Sequence, residues 1–232
     1  MIIFVTGTNT DVGKTVATAT IAVALAQSGY KVVYAKPLQT GEANDSGDAA
    51  TVRALAGVEV MEMARFPEPL APNLSARRAG MIPPTREELR GWVTGLDTPD
   101  RVVLVEGAGG LLVRLADDYT LADVATNLLI VTSLGLGSLN AAELTVHEAQ
   151  RRGINVMGLI GGSVPGEPDL ATRLNVDELP VVTGCRLWGS VPEGAGALGR
   201  ARFARMAGPN FPLRCVRSCL RTPTSAAPMG QR

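Results

Sequence analysis

The chain opens with the apolar run MIIFV, which passes directly into GTNTDVGKT, residues 7–15. Few openings restrict a fold as much. A short strand that breaks at a glycine and re-enters regular structure at Gly13-Lys14-Thr15 aims backbone N–H groups and a helix dipole at one point, which suits a phosphate. The usual phosphate-loop spacing, G-x-x-x-x-G-K-[ST], would place its first glycine at position 8. Thr8 stands there and the glycine is Gly7, so the loop is one residue longer. On this reading Lys14 reaches the terminal phosphates and the Thr15 hydroxyl ligates Mg²⁺, while Thr10 and Asp11 project over the phosphates. The competing reading is a tight strand-to-helix turn with a surface lysine.

The rest of the chain fits that opening. IIFVT (2–6), KVVYA (31–35), RVVLVE (101–106), NLLIVTS (127–133), NVMGLIGG (155–162) and RLWGSV (186–191) are mostly continuous apolar runs, the pattern of parallel strands covered on both faces. Residues 14–28, stopped by Gly29, and 138–153, stopped by Gly153, read as helices. Strands alternating with helices predict an α/β fold, with a mainly parallel central sheet and helices on both faces. The proline-rich segment 60–84 reads as an irregular excursion, followed by a short helix near 85–95. From Met206 onward there is no acidic residue and four prolines interrupt any helix, so residues 206–232 are expected to be a poorly ordered tail behind one domain, 1–205.

Charge and cysteine usage exclude several classes. Lys plus Arg equals Asp plus Glu at 22 each, which offers no electrostatic case for nucleic acid or an anionic membrane surface. No apolar run is long enough to span a bilayer, and the opening run is too short and lacks the basic leader of a secretory signal. Cys185, Cys215 and Cys219 are an odd number without metal-type pairing, so a reduced cytoplasmic protein is expected.

In such sheets ligands bind beyond the carboxyl ends of the strands, and the remaining polar motifs fall there. Glu106, ahead of Gly107, Gly109 and Gly110, is placed to bind Mg²⁺ or accept from a substrate; otherwise it is a solvated strand-end glutamate. Lys36 in AKPLQTG precedes a proline, hence an extended backbone, and would offset charge developing on a transferred phosphate; otherwise it is a surface lysine. Asp48 opens a helix and is either an N-cap or a metal ligand. Gly137, Ser138, Leu139 and Asn140 stand between a strand and a helix whose N-terminus could hold a carboxylate or phosphate. His147, the only histidine, sits mid-helix and is read as non-catalytic, and Trp92 and Trp188 as packing residues.

GTNTDVGKT, KPLQTG, VEGAGGLLV and LGSLNAAELT, in this order and spacing, resemble the dethiobiotin synthetases over roughly residues 1–195. That family's phosphate loop carries the same one-residue expansion, and its fold is P-loop NTPase-like. The resemblance implies a cytoplasmic, Mg²⁺- and ATP-dependent cyclo-ligase of biotin biosynthesis that joins 7,8-diaminononanoate and CO₂ (or bicarbonate) into a cyclic urea. It implies Thr15, Asp48 and Glu106 as Mg²⁺ ligands and Lys36, Lys14 and Thr10 as catalytic groups. Thr8, Asn9, Thr10, Asp11, Val12, Gly13, Lys14, Thr15 and Val16 would hold the nucleotide's phosphates. Thr10, Asp11, Lys36, Thr40, Glu106 and Gly107 would surround the diamine and carbamate. Gly137, Ser138, Leu139 and Asn140 would receive the substrate carboxylate across a homodimer interface. Gly162 and Ser163 stand where many members carry an adenine-reading Asn, with Pro192 and Glu193 nearby, so another nucleoside triphosphate is expected to serve as well as ATP. Two rivals fit less well. A cobyrinate-type amide synthetase needs a glutaminase domain for which this chain has no room, and a partitioning or switch ATPase needs a second loop lysine that positions 8–12 lack.

Overall fold

The computed structural model describes residues 1–42 and 46–210. Its strands are β1 (Ile2–Gly7), β2 (Lys31–Thr40), β3 (Glu59–Phe66), β4 (Arg101–Gly110), β5 (Arg114–Ala116), β6 (Tyr119–Thr120), β7 (Asn127–Thr132), β8 (Asn155–Val164) and β9 (Leu187–Pro192). Its helices are α1 (Lys14–Gln27), α2 (Asp48–Ala56), α3 (Pro72–Arg78), α4 (Arg86–Leu96), α5 (Ser138–Arg151), α6 (Leu170–Thr183) and α7 (Arg200–Asn210).

Seven strands form one sheet in the order β3-β2-β4-β1-β7-β8-β9, and every pairing in it is parallel. All six predicted strands are present. A parallel sheet must be covered on both faces, and it is. On one face α1, α2 and α7 pack Ala17, Ile21, Leu25, Val52, Leu55 and Phe203 against Ile3, Val5, Leu104 and Leu129. On the other, Leu89, Val93, Ala142, Val146 and Leu179 from α4, α5 and α6 meet Phe4, Val103, Val105 and Ile130. Four of the five alanines of α1 (Ala17, Ala19, Ala22 and Ala24) are buried, which lets that helix lie close to the sheet, while Ala26 is exposed. Trp188 is buried and Trp92 half-buried, both in packing positions.

One expectation is corrected. Residues 60–84 are not an irregular excursion: β3 occupies Glu59–Phe66 and α3 occupies Pro72–Arg78, ahead of the expected helix now seen at Arg86–Leu96. As an edge strand, β3 is mostly half-buried, so EVMEMARF carries Glu59, Glu62 and Arg65 among its apolar residues where an inner strand would run continuously apolar. Its prolines start only after Phe66, where the strand has ended. α6, capped by Asp169 at its start and by left-handed Gly184 at its end with Pro180 inside it, is absent from the sequence reading. α7 extends through Asn210, so the first residues of the expected tail are helical; residues 211–232, with Cys215 and Cys219, lie outside the described part. No helix among the described residues is long and apolar enough to cross a membrane.

Candidate active site

The site forms where the sheet splits. β2 pairs with β4 from Lys31 to Ala35 and then continues, paired only with β3, to Thr40. The parting falls at Lys36–Pro37, where proline removes a ladder N–H. Beyond it the C-terminal ends of β2 and β4 enclose a cavity of about 840 Å³ with the loop after β1. Thr10, Asp11, Gly13, Lys14, Thr15, Val16, Lys36, Thr40 and Asp48 line it, so these predicted residues come together. The opposite wall is apolar and absent from the sequence reading: Leu38, Pro69, Leu70, Ala71 and Pro72.

The loop has the geometry its glycines demand. Gly13 is left-handed (φ 87°) and caps α1, and Asp11 is the only non-glycine residue with positive φ (58°) among the described residues. A Cβ on Gly7 would stand 2.5 Å from the Asn9 carbonyl oxygen, so the expanded loop folds back over its own first residue. Thr8 is tied to Thr132 on β7 through their hydroxyls at 3.2 Å.

Beneath the loop the charges converge. Lys36 Nζ lies 3.2 Å from Glu106 Oε1, donates to the Gly107 carbonyl at 3.1 Å and pairs with Asp48. The Thr15 hydroxyl stands 2.6 Å from Asp48 Oδ1 and 3.0 Å from Glu106 Oε1; its single hydrogen serves one carboxylate at a time. Lys14 Nζ donates to the Asn9 carbonyl at 3.3 Å. Glu106 and Lys36 are buried, and so is most of Lys14. Asp48 is not the cap of α2, since Gly47 holds that position; its side chain turns to Thr15 and Lys36 instead. Gln39, buried in the quoted KPLQTG stretch and assigned no role from sequence, accepts the Asp48 N–H at 3.0 Å and so sets where α2 begins.

Burial and charge pull these groups in opposite directions. Burial lowers the Lys14 ammonium, and the attraction of Glu106 recovers only part of this. Burial would lower Lys36 too, but the Glu106 and Asp48 carboxylates outweigh it and hold that ammonium above its ordinary value. Burial pushes the Glu106 carboxyl up against the pull of Lys36. For Asp48 burial also acts upward, yet Lys36 and Thr15 win and the carboxyl lies below its ordinary value. Burial lifts the Tyr34 phenol well above its usual range, and Glu106 adds to the effect.

Thr15, Asp48 and Glu106 fit a magnesium ion in chemistry. They supply hard oxygen donors that already touch one another, and Glu106 Oε2 is buried without a hydrogen-bond partner, an orphaned acceptor of the sort a cation would satisfy. No cluster of three or more His, Cys, Asp or Glu ligands exists among the described residues.

The other predicted residues lie around this centre rather than in it. Gly162 touches the loop: a Cβ there would fall 1.8 Å from the Val12 carbonyl oxygen, so an amide side chain at 162 could not be housed without moving the loop. Ser163 is exposed, and β8 and β9 place Val164 beside Pro192, whose neighbour Glu193 donates its N–H to the Val164 carbonyl at 2.8 Å. Gly137, Ser138, Leu139 and Asn140 do not line the cavity; they form the start of α5 beyond β7. There Asn175 of α6, which the sequence did not flag, donates its amide to the turn before α5. His147 is exposed.

Three comparisons with known proteins bear on this site. The model of a family described as an AAA domain matches residues 2–197. The ATP-dependent dethiobiotin synthetase of Corynebacterium diphtheriae is 58% identical over 209 residues, covering 88% of this chain and 94% of that protein. The enzymes of the same name from Streptomyces coelicolor (52% identical; 90% and 91% covered) and Rhodococcus jostii (47%; 94% and 98%) are also similar over nearly their full lengths. Among solved structures, the septum site-determining protein MinD of Pyrococcus horikoshii, in complex with Mg-ADP, superposes with a TM-score of 0.59 over 89% of this chain and 90% of that one, at 18% identity. At that identity the likeness speaks to the fold alone.

Proposed function

The chain belongs to the ATP-dependent dethiobiotin synthetases, and from that premise we propose that it closes the ring of 7,8-diaminononanoate with CO₂ at the expense of a nucleoside triphosphate, in the cavity beneath the Gly7–Thr15 loop. The observation that carries the site assignment is the buried meeting of Lys36, Glu106, Asp48 and Thr15 under that loop.

The chemistry runs in three steps. One substrate amine adds to CO₂ and loses a proton, giving a carbamate. A carbamate oxygen then attacks the γ-phosphorus and the nucleoside diphosphate leaves, giving a carbamic–phosphoric anhydride. The second amine attacks the carbamoyl carbon, sheds its proton and expels phosphate, which closes the five-membered urea. Carbamate and triphosphate are both anionic, so their approach is the electrostatic problem, and catalysis is mostly positioning and charge stabilisation. Lys14, extended from the loop, meets the terminal phosphates. Lys36, anchored by Glu106 and Asp48, cannot swing away and keeps its charge, so it holds the carbamate and the transferring phosphoryl together. Thr10 and Thr40 at the rim and the apolar wall of Leu38, Pro69, Leu70 and Pro72 suit a diamine with an aliphatic chain. Thr15, Asp48 and Glu106 would hold Mg²⁺, which when bound neutralises phosphate charge.

The start of α5 would receive the substrate carboxylate from a neighbouring copy in a homodimer. Exposed Leu136 and Leu144, on and beside that turn, and Leu112 support such an interface. Base discrimination would be loose, because Gly162 leaves no place for an amide beside the loop. The test is phosphate release with diaminononanoate and bicarbonate against each nucleoside triphosphate in turn, with the cyclic urea identified as product. Phosphate release that ignores the diamine would sink this reading in favour of a switch ATPase.

A further inference from the structure

α5 starts without a side-chain cap: Gly137 holds the cap position, and Leu139 and Asn140 begin the helix with backbone N–H groups that a capping side chain would otherwise take. What shapes this start comes from another helix. Asn175, in the second turn of α6 and 8% exposed, places its Nδ2 2.9 Å from the Leu134 carbonyl oxygen, 2.9 Å from that of Gly135 and 3.1 Å from Ser138 Oγ. Two of these three partners can only accept. The NH₂ end of the amide must therefore face them, because the amide oxygen would meet two carbonyl oxygens. One nitrogen thus ties the end of the loop after β7 to the first residue of α5.

Ser138 adds a second observation. Ser138 is 1% exposed; its Oγ shares the two hydrogens of Asn175 Nδ2 with the Leu134 and Gly135 carbonyls, and among the described residues its own hydrogen meets no acceptor. A buried hydroxyl whose hydrogen meets no acceptor within the chain keeps that hydrogen available to a ligand that only accepts. The free donors here all point to one class of ligand, an anion without its own hydrogen, and no basic side chain competes for it within the stretch 133–140.

We propose that Asn175 is a positioning residue for the substrate carboxylate: it pins residues 134–138 so that the uncapped start of α5 and the Ser138 hydroxyl are set to receive that group. This rests on the assignment of Gly137–Asn140 to the carboxylate made under the proposed function. Asn175 itself touches no substrate. It sets selectivity for a diamine that carries an acid at its far end and leaves the phosphoryl chemistry at Lys36 unaffected.

The test compares two substrates, 7,8-diaminononanoate and nonane-2,3-diamine, which keeps the vicinal amines and lacks the carboxylate. In the wild-type enzyme the acid should be preferred in kcat/KM. Asn175→Ala should raise KM for the acid about tenfold, a loss of roughly 1.4 kcal/mol. Its kcat should stay within twofold, with KM for the nucleotide unchanged and KM for the carboxylate-free diamine equal to wild type. Asn175→Asp, which sets a carboxylate oxygen against two carbonyls, should lose at least as much on the acid. Equal losses on both diamines, or a raised nucleotide KM, would mean a merely structural role and overturn the proposal. If Asn175→Ala does not fold, Ser138→Ala decides by the same comparison: a loss confined to the acid supports the proposal and an equal loss on both diamines ends it. A wild-type enzyme indifferent to the carboxylate also ends it, whereas failure to form any cyclic urea would instead refute the proposed function.

Discussion

The two ends of the candidate site are built on opposite principles. Under the Gly7–Thr15 loop the packing is tight and the charges are paired: a Cβ on Gly7 or Gly162 would strike backbone oxygens, and Lys36, Glu106, Asp48 and Thr15 pair with one another, leaving only Glu106 Oε2 among them without a partner. At the start of α5 the glycines face open space, since a Cβ on Gly135 or Gly137 would meet nothing within 4 Å, and the neighbouring Leu136 is 95% exposed. The first end is closed by contacts within this chain, and the second is open on one side.

The sharpest way to break that comparison is at Lys36. Lys36→Ala should reduce cyclic-urea formation by on the order of 10³-fold, the scale of losing a preorganised charge at a phosphoryl-transfer centre. It also leaves Glu106 and Asp48 without their shared cation, so the melting temperature should fall and added Mg²⁺ should recover more of it than in wild type. Near-normal turnover in this variant would remove Lys36 from its role. Next in size is Gly162→Ala. Overpacking against the Val12 carbonyl should cost about 3 kcal/mol or more and raise KM for the nucleotide, read by denaturant unfolding and steady-state kinetics. A stable variant with unchanged KM would show that the loop has slack the geometry does not suggest.

A pH profile sharpens the contrast between the two lysines. In the proposed function Lys14 would bind phosphate as the cation; burial brings its proton off below the ordinary lysine range, while Lys36 is held above it. Nucleotide affinity should therefore be full at neutral pH and decline as pH rises through the lowered Lys14 value, before an ordinary lysine would titrate. Calorimetric titration with a non-hydrolysable nucleotide at several alkaline pH values checks this, and a decline only at or above the ordinary range would contradict the burial argument. The smallest effect belongs to the open end. Gly135→Ala should change stability by less than about 0.5 kcal/mol, and His147→Ala, on the exposed side of α5, should change neither stability nor turnover measurably.

How much of this was readable in advance follows the same division. The loop, six of the seven sheet strands (the five inner ones and the edge strand β9) and the residues at their carboxyl ends were legible because each is a local pattern: continuous apolar runs, glycine at turns, lysine beside proline. β3 was not, because an edge strand covered on only part of its surface tolerates Glu and Arg and loses the apolar signature. From the residue alone Asp48 could be a cap or a metal ligand, since a helix-opening aspartate is the same letter in either role; in the structure Gly47 takes the cap position and the Asp48 side chain turns to Thr15 and Lys36. Gln39 and Asn175 had no signal at all. An amide that positions another element does so through partners 9 and 40 residues away, and nothing in its own neighbourhood marks it.

By itself, then, the order of residues determined a strand, an expanded phosphate loop and a helix at the start of an α/β chain, with a roster of polar residues at strand ends, because backbone propensity and apolar periodicity act over a few neighbouring positions. Only the tertiary structure decided which members of that roster meet. Lys36 reaches Glu106, 70 positions away, because β2 abandons β4 after Ala35 and opens a gap there, and Gly162 must lack a side chain because β8 runs under the loop. Such contacts depend on strand order and on where a ladder ends, which are properties of the packed sheet and have no counterpart in any short stretch of the chain.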